Sequence, residues 1–325
     1  MAQAKRLGTW QAFQQRTKHG DSIFWGVTLF FALLVIALVF AVGYVTWAGS
    51  SEARAKFGLG FLFQTGWDPN AQNFGALPAI YGTLVSSGIA LLFAGPLGIL
   101  IGVFLSELCP ARLKNPLSFL VELLAAIPSV IYGMWGIFVF VPFFKSAIAS
   151  PITKSVGKTI PILSGPVGTG RGVMVAGIIL AIMILPTIAA ITRDVLAVVP
   201  NHQREAMLAV GATRWEMIRK AVLPYARAGI IGGLMLGLGR ALGETMAALM
   251  VIGSIKDKIG GSLFSGGITA ASLIASELPN ANDDLHASTL ILIALVLFGI
   301  TLLVNVFARL LVWRAARGPV GSVRA

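Results

Sequence analysis

Long apolar blocks separated by short polar segments set the pattern of this chain. Six blocks are long enough to cross a hydrocarbon core of about 30 Å, which takes roughly 20 apolar residues in a helix. They fall near residues 23–48, 80–105, 118–144, 173–192, 228–253 and 288–313. The first follows a basic leader and has an apolar core longer than the roughly 7–15 residues of a secretory signal. It reads as a retained transmembrane helix. No repeat and no soluble domain interrupts the pattern.

Composition agrees with the pattern. Hydrophobic residues make up 56% of the 325 and charged residues only 12%, against about 25% charged in soluble domains. The expected fold is an all-α polytopic membrane protein of about six transmembrane helices. The single cysteine, Cys109, excludes an intrachain disulfide. His19, His202 and His286 lack metal-ligand spacing, so no metal, cofactor or catalytic residue is expected in this chain.

The net charge of +12 does not point to nucleic acid, because no nucleic-acid-binding signature is present. The Lys and Arg residues lie mostly between the blocks, where they orient helices in a bilayer. One set comprises Lys5, Arg6, Arg16 and Lys18, then Arg112 and Lys114. It continues with Arg193, Arg204, Arg214, Arg219, Lys220 and Arg227, and ends with Arg309, Arg314, Arg317 and Arg324. The positive-inside rule makes these segments, and both termini, cytoplasmic. The alternate loops are poorer in charge, except that 145–172 carries Lys145, Lys154, Lys158 and Arg171. That long loop reads as a solvated surface. The loop at 254–287 contains "GGSLFSGG" and "ELPNANDD" and is turn-forming.

The fourth loop, "PNHQREAMLAVGATRWEMIRKAVLPYARAG", has structure of its own. Pro200 stops the preceding helix, Asn201 is positioned to cap a short helix through Ala209, and Gly211 suits a left-handed stop. Thr213 and Glu216 form a capping box for a second short helix, which Pro224 is expected to end. Glu205, Ala206, Gly211, Leu223 and Pro224 stand at the spacing of the EAA loop, so the chain resembles the permeases of type I ABC importers. Met207 and Ala221 depart from the motif, each replacing one apolar residue with another. The resemblance implies that this loop couples the permease to a separate ATPase. The chain itself has no G-x-x-x-x-G-K-[ST] phosphate loop, so ATP and Mg would belong to that partner.

"GLGRALGETMA" (237–247) places two charges inside the fifth block. An intramembrane ion is costly and is a functional candidate by default. In a continuous helix Arg240 and Glu244 share a face. Gly233 and Gly237 lie on it too, with Gly239 and Gly243 nearby, so another helix can approach closely. Two readings follow: a structural salt bridge, or an anion site in which Arg240 binds and Glu244 neutralises it when empty. The text at 122–136, 176–196 and 239–247 is similar to that of phosphate-importer permeases, which implies that Arg240 and Glu244 lie on a phosphate pathway. The same resemblance implies a second permease, an ATPase dimer and an extracytoplasmic phosphate-binding protein as partners. The rival readings are an importer of the same type for sulfate or molybdate, and an anion channel or secondary transporter.

The expected layout is a cytoplasmic N-terminal segment (1–22), a first transmembrane helix (23–48), a permease core (76–318) with its coupling loop at 200–224, and a cytoplasmic tail (319–325).

Overall fold

A computed structural model describes residues 3–164, 167–281 and 283–316. The expected tail at 319–325 lies outside the described residues. Helix α1 (Gln3–Gly49) is followed by short α2 (Ser51–Phe57) and a two-residue antiparallel pair, β1 (Trp67–Asp68) and β2 (Asn73–Phe74). Then come α3 (Leu77–Leu108), α4 (Ala111–Ala125), α5 (Ser129–Lys154) and α6 (Val173–Ala197). After these follow α7 (Asn201–Ala209), α8 (Arg214–Leu242), α9 (Met246–Val251), α10 (Ala270–Glu277) and α11 (Asp284–Ala316). Among the described residues six helices are long and apolar enough to span a bilayer: the 23–49 part of α1, then α3, α5, α6, α8 and α11.

Helix α6 is the centre of the bundle. Ile179, Met183, Ile184 and Ile188 are fully buried, and the core around them draws on α3, α5, α8 and α9. Close approach makes this possible. A methyl group added at Gly98 or Gly102 of α3 would stand 2.8 Å from Ile188 Cγ2 or 2.6 Å from Thr192 Cβ. Pro186 lies inside α6 without ending it.

The expected third span, 118–144, is two helices rather than one. The chain breaks at Ala126–Pro128, where Pro128 has extended backbone (φ −57°, ψ 137°). Proline offers no amide to the helix ladder and biases the residue before it away from helix. Helix α4 therefore stays at one end of the bundle with no buried residue, held to α6 by Glu122 and Arg193 at 2.9 Å. The membrane-spanning part begins only at Ser129.

A second core closes the opposite end. Phe61, Phe74, Ile268, Leu273 and Leu290 pack there with His286, which is 5% exposed and stacked on the Phe74 ring. Glu277 takes the Trp67 indole N–H at 3.5 Å and the Lys256 ammonium, and stands 3.6 Å from His286 Nε2. This cluster orders much of 254–287, which the sequence marks only as turn-forming.

Candidate functional site

Helix α7 projects from the end of the bundle where α3 and α6 finish. Val210 ends it, and Gly211 takes φ +84° with nothing within 4 Å of where a side chain would stand. The left-handed conformation, not crowding, is what requires glycine there. Glu205, Ala206, Leu208 and Ala209 are exposed, as are Asn201 and His202 and, at the turn, Val210, Thr213, Arg214 and Trp215, so the surface presented mixes apolar and polar side chains with one α7 carboxylate.

Three details differ from expectation. Asn201 does not cap α7; its side-chain oxygen instead accepts from Arg204 Nη1 at 3.2 Å. The capping box forms as expected: the Thr213 hydroxyl accepts from the Glu216 amide, and the Glu216 carboxylate accepts from the Thr213 amide. But Pro224 does not end the helix that starts there. A wide π turn at 218–222 precedes Leu223, and α8 runs on through Pro224 to Leu242. The wide turn lets the helix pass a residue that cannot donate an amide hydrogen.

Sequence reasoning missed Glu107, at the end of α3. Its carboxylate accepts from Arg204 Nε at 3.1 Å and Nη2 at 2.7 Å, a two-point pair with side chains 5% and 17% exposed. Arg204 also donates to the carbonyl oxygens of Leu196, at 2.8 Å, and Val199. The only signal in the sequence was an acid at the edge of the second apolar block and a lone arginine in the loop's first turn.

On α8 a glycine stripe faces α6. Added methyl groups would stand 2.4 Å from Val195 at Gly229, and 2.9 Å from Ile191 at Gly233 or Ile188 at Gly237. The partners descend in number as the glycines ascend, so the two helices run antiparallel. Gly233 and Gly237 thus have the close-approach role expected of them. Gly239 does not, since nothing lies within 4 Å of it, and Gly243 would meet only the Gly239 carbonyl oxygen, at 3.7 Å.

Arg240 stands at the top of this stripe, half-buried, and its Nη1 donates to the Thr187 hydroxyl of α6 at 3.2 Å. Among the described residues no carboxylate lies within 4.0 Å of it. The face expected to carry both Arg240 and Glu244 does not form, because the helix stops at Leu242 and resumes at Met246. Glu244 lies in the break and accepts from the Ala247 amide at 3.1 Å, satisfying the free N-terminus of α9. The salt-bridge reading therefore has no geometric support, and neither has neutralisation of Arg240 by Glu244.

The start of α5 packs against the break in the fifth span, just past Arg240. Ile127, from the break before α5, joins the same core as Ala241 and Ala247, which flank the break in the fifth span. Gly133 of α5 lets Met250 and the Ala247 backbone of α9 approach. Backbone can leave helical form at membrane depth only where protein or water satisfies it, so the break at 243–245 marks an interior surface and not a lipid face. A guanidinium there, bound to a hydroxyl, keeps donors for an oxyanion.

Comparison with known proteins gives concordant results. Residues 95–317 match the family described as binding-protein-dependent transport system inner membrane component. The chain is 46% identical over 297 residues to the phosphate transport system permease protein PstC of Mesorhizobium japonicum, covering 90% of each. It is 44% identical to the protein of that name from Haemophilus influenzae, covering 90% of this chain and 93% of that one. Among solved structures, a chain of a bacterial alginate ABC transporter in complex with alginate pentasaccharide-bound periplasmic protein superposes with TM-score 0.56. It is 18% identical and covers 90% of this chain and 96% of that one. A chain of the inward-facing MetNI methionine ABC transporter gives TM-score 0.54 at 22% identity, covering 74% and 95%. At such identities the structures speak to the fold alone.

Proposed function

We propose how this chain works from one premise: it belongs to the inner-membrane components of binding-protein-dependent transport systems, and within them to the PstC phosphate permeases. It is a non-catalytic, multi-pass permease subunit of an ATP-driven phosphate importer. In our reading it lines half of the translocation path. A PstA-like permease supplies the other half, a PstB-like ATPase dimer binds the coupling surface, and a PstS-like binding protein delivers phosphate from the opposite side. ATP and Mg are held by the ATPases, and this chain needs no cofactor. The positive-inside rule puts α7 and both termini in the cytoplasm.

The observation that carries this reading is the half-buried guanidinium of Arg240 beside the break in the fifth span, bonded to a hydroxyl and, among the described residues, unmatched by a carboxylate. Phosphate passing there exchanges the Thr187 contact for charge-assisted bonds to its own oxygens. A single cation binds loosely enough to release the anion onward. Glu244 caps α9 and so keeps that helix end from holding the anion too tightly. The exposed EAA surface, Glu205 and Ala206 with Gly211 behind them, is the ATPase contact. Leu223 and Pro224 carry the chain past the wide turn into α8.

Reconstitution of the four components in liposomes tests this. Phosphate uptake should require ATP, the binding protein and both permeases, and should be indifferent to a proton gradient. Uptake by liposomes carrying this chain alone, without ATP, would refute the importer reading.

A further inference from the structure

We infer that Glu107 is a positioning residue for energy transfer, fastening the ATPase-facing helix α7 to α3 so that a push on α7 moves α3 and α6 as one body. This rests on the importer reading. Helix α7 buries no residue of its own, and only half-buried Met207 packs on the core beside it. What fixes it is Arg204, whose fork is closed by Glu107 and whose remaining donors reach the Leu196 and Val199 carbonyl oxygens and Asn201. The Ser106 hydroxyl donates to the same carboxylate at 2.9 Å. A wide turn at 104–108 ends α3 and carries Glu107. A buried pair of this kind adds little stability over apolar packing, but removing one partner strands the other charge. Its value is geometric, because a two-point guanidinium–carboxylate contact fixes orientation as well as distance.

Beyond this joint the structure is stiff. Gly98 and Gly102 let α3 and α6 pack almost backbone to side-chain base. Helix α8 follows α7 through Gly211, whose left-handed turn leaves open space where a side chain would stand, and Met207 packs against the core that includes Met217, Ile218 and Val222 of α8. A displacement of α7 therefore reaches α3 and α6 through the directional Arg204–Glu107 contact, and reaches α8 through the turn and the apolar Met207 contact. The Thr187–Arg240 hydrogen bond joins α6 to α8 across their close glycine-lined contact, so motion of α6 bears on Arg240.

The test uses the complete reconstituted transporter and reads phosphate moved per ATP hydrolysed. Glu107→Gln and Arg204→Gln should each retain the ATPases and continue to hydrolyse ATP, with that ratio down about fivefold or more. The double variant should be no worse than either single one, because the two groups act as one joint. Glu107→Asp, which keeps the charge, should recover much of the ratio. A wild-type ratio in Glu107→Gln overturns the inference. So does a defect confined to the amount of complex assembled, with the ratio unchanged in what assembles. If the glutamine variants do not assemble, Glu107→Asp and Arg204→Lys are read instead, and an unchanged ratio in both overturns it equally. Failure of the unmodified transporter to move phosphate with ATP refutes the importer reading and leaves the joint itself untouched.

Discussion

The guanidinium of Arg240 and the hydroxyl of Thr187 meet at 3.2 Å across the α6–α8 contact, and among the described residues no carboxylate shares the bond. Replacing Arg240 with Gln removes the positive charge and keeps a donor. A hydrogen bond to a charged group is worth about 1.5–3 kcal/mol, so uptake should fall about tenfold to a hundredfold. Radiolabelled phosphate uptake is the readout, with ATPase co-purification as the control for assembly. Full uptake by this variant would remove Arg240 from the pathway.

Thr187 should matter less, and through its hydroxyl. Thr187→Val keeps the shape and deletes the acceptor, a change of about 1 kcal/mol, so uptake should shift several-fold. Thr187→Ser should stay near wild type. A larger effect from Thr187→Ser than from Thr187→Val would show that the methyl group, not the hydroxyl, is what counts.

Glycines that look alike in the sequence should behave differently. Gly237→Val drives atoms into Ile188, where even a methyl group would stand at 2.9 Å. Overpacking of this kind costs about 1–3 kcal/mol, and the melting temperature of the purified transporter should drop. Gly239→Ala meets nothing and should leave it unchanged. Fluorescence-detected size-exclusion after heating separates the two. Equal melting temperatures would contradict the close α6–α8 contact.

Gly211 offers a test of the coupling surface by backbone alone. Its φ of +84° is strained for a β-branched residue and tolerable for Asn, while the space around it is open. Gly211→Val should reduce ATPase co-purification severalfold, and Gly211→Asn should retain most of it. Glu205→Lys reverses the one exposed carboxylate of α7 and should weaken the same association. Normal binding in both Gly211→Val and Glu205→Lys would place the ATPase elsewhere.

The sequence reading reached the span count, the left-handed stop at Gly211 and the Thr213–Glu216 capping box, because hydropathy and fixed spacing act locally. It failed where an apolar run hides a change of backbone path. Ala126, Ile127 and Pro128 are as greasy as their neighbours, so a hydropathy window passes over the break. Arg240 and Glu244 stand four apart, which counts as one face only if the helix continues, and it stops at Leu242. Pro224 misled in the opposite direction, since a wide turn ahead of it keeps the helix going. Glu107 finds Arg204 across 97 positions of chain, a pairing that no local pattern encodes.

The interruption at 243–245 has a consequence for how the membrane stays sealed. Unwound backbone at mid-depth exposes amides and carbonyls that hydrocarbon cannot satisfy. Most are met inside the chain: the Gly243 and Glu244 amides donate to the Gly239 and Ala241 carbonyl oxygens, and the Gly243 and Thr245 carbonyl oxygens accept from the Thr245 hydroxyl and the Leu249 amide. An interruption that satisfies itself in this way can sit at membrane depth without a standing file of water, so the break in the fifth span opens no leak of its own.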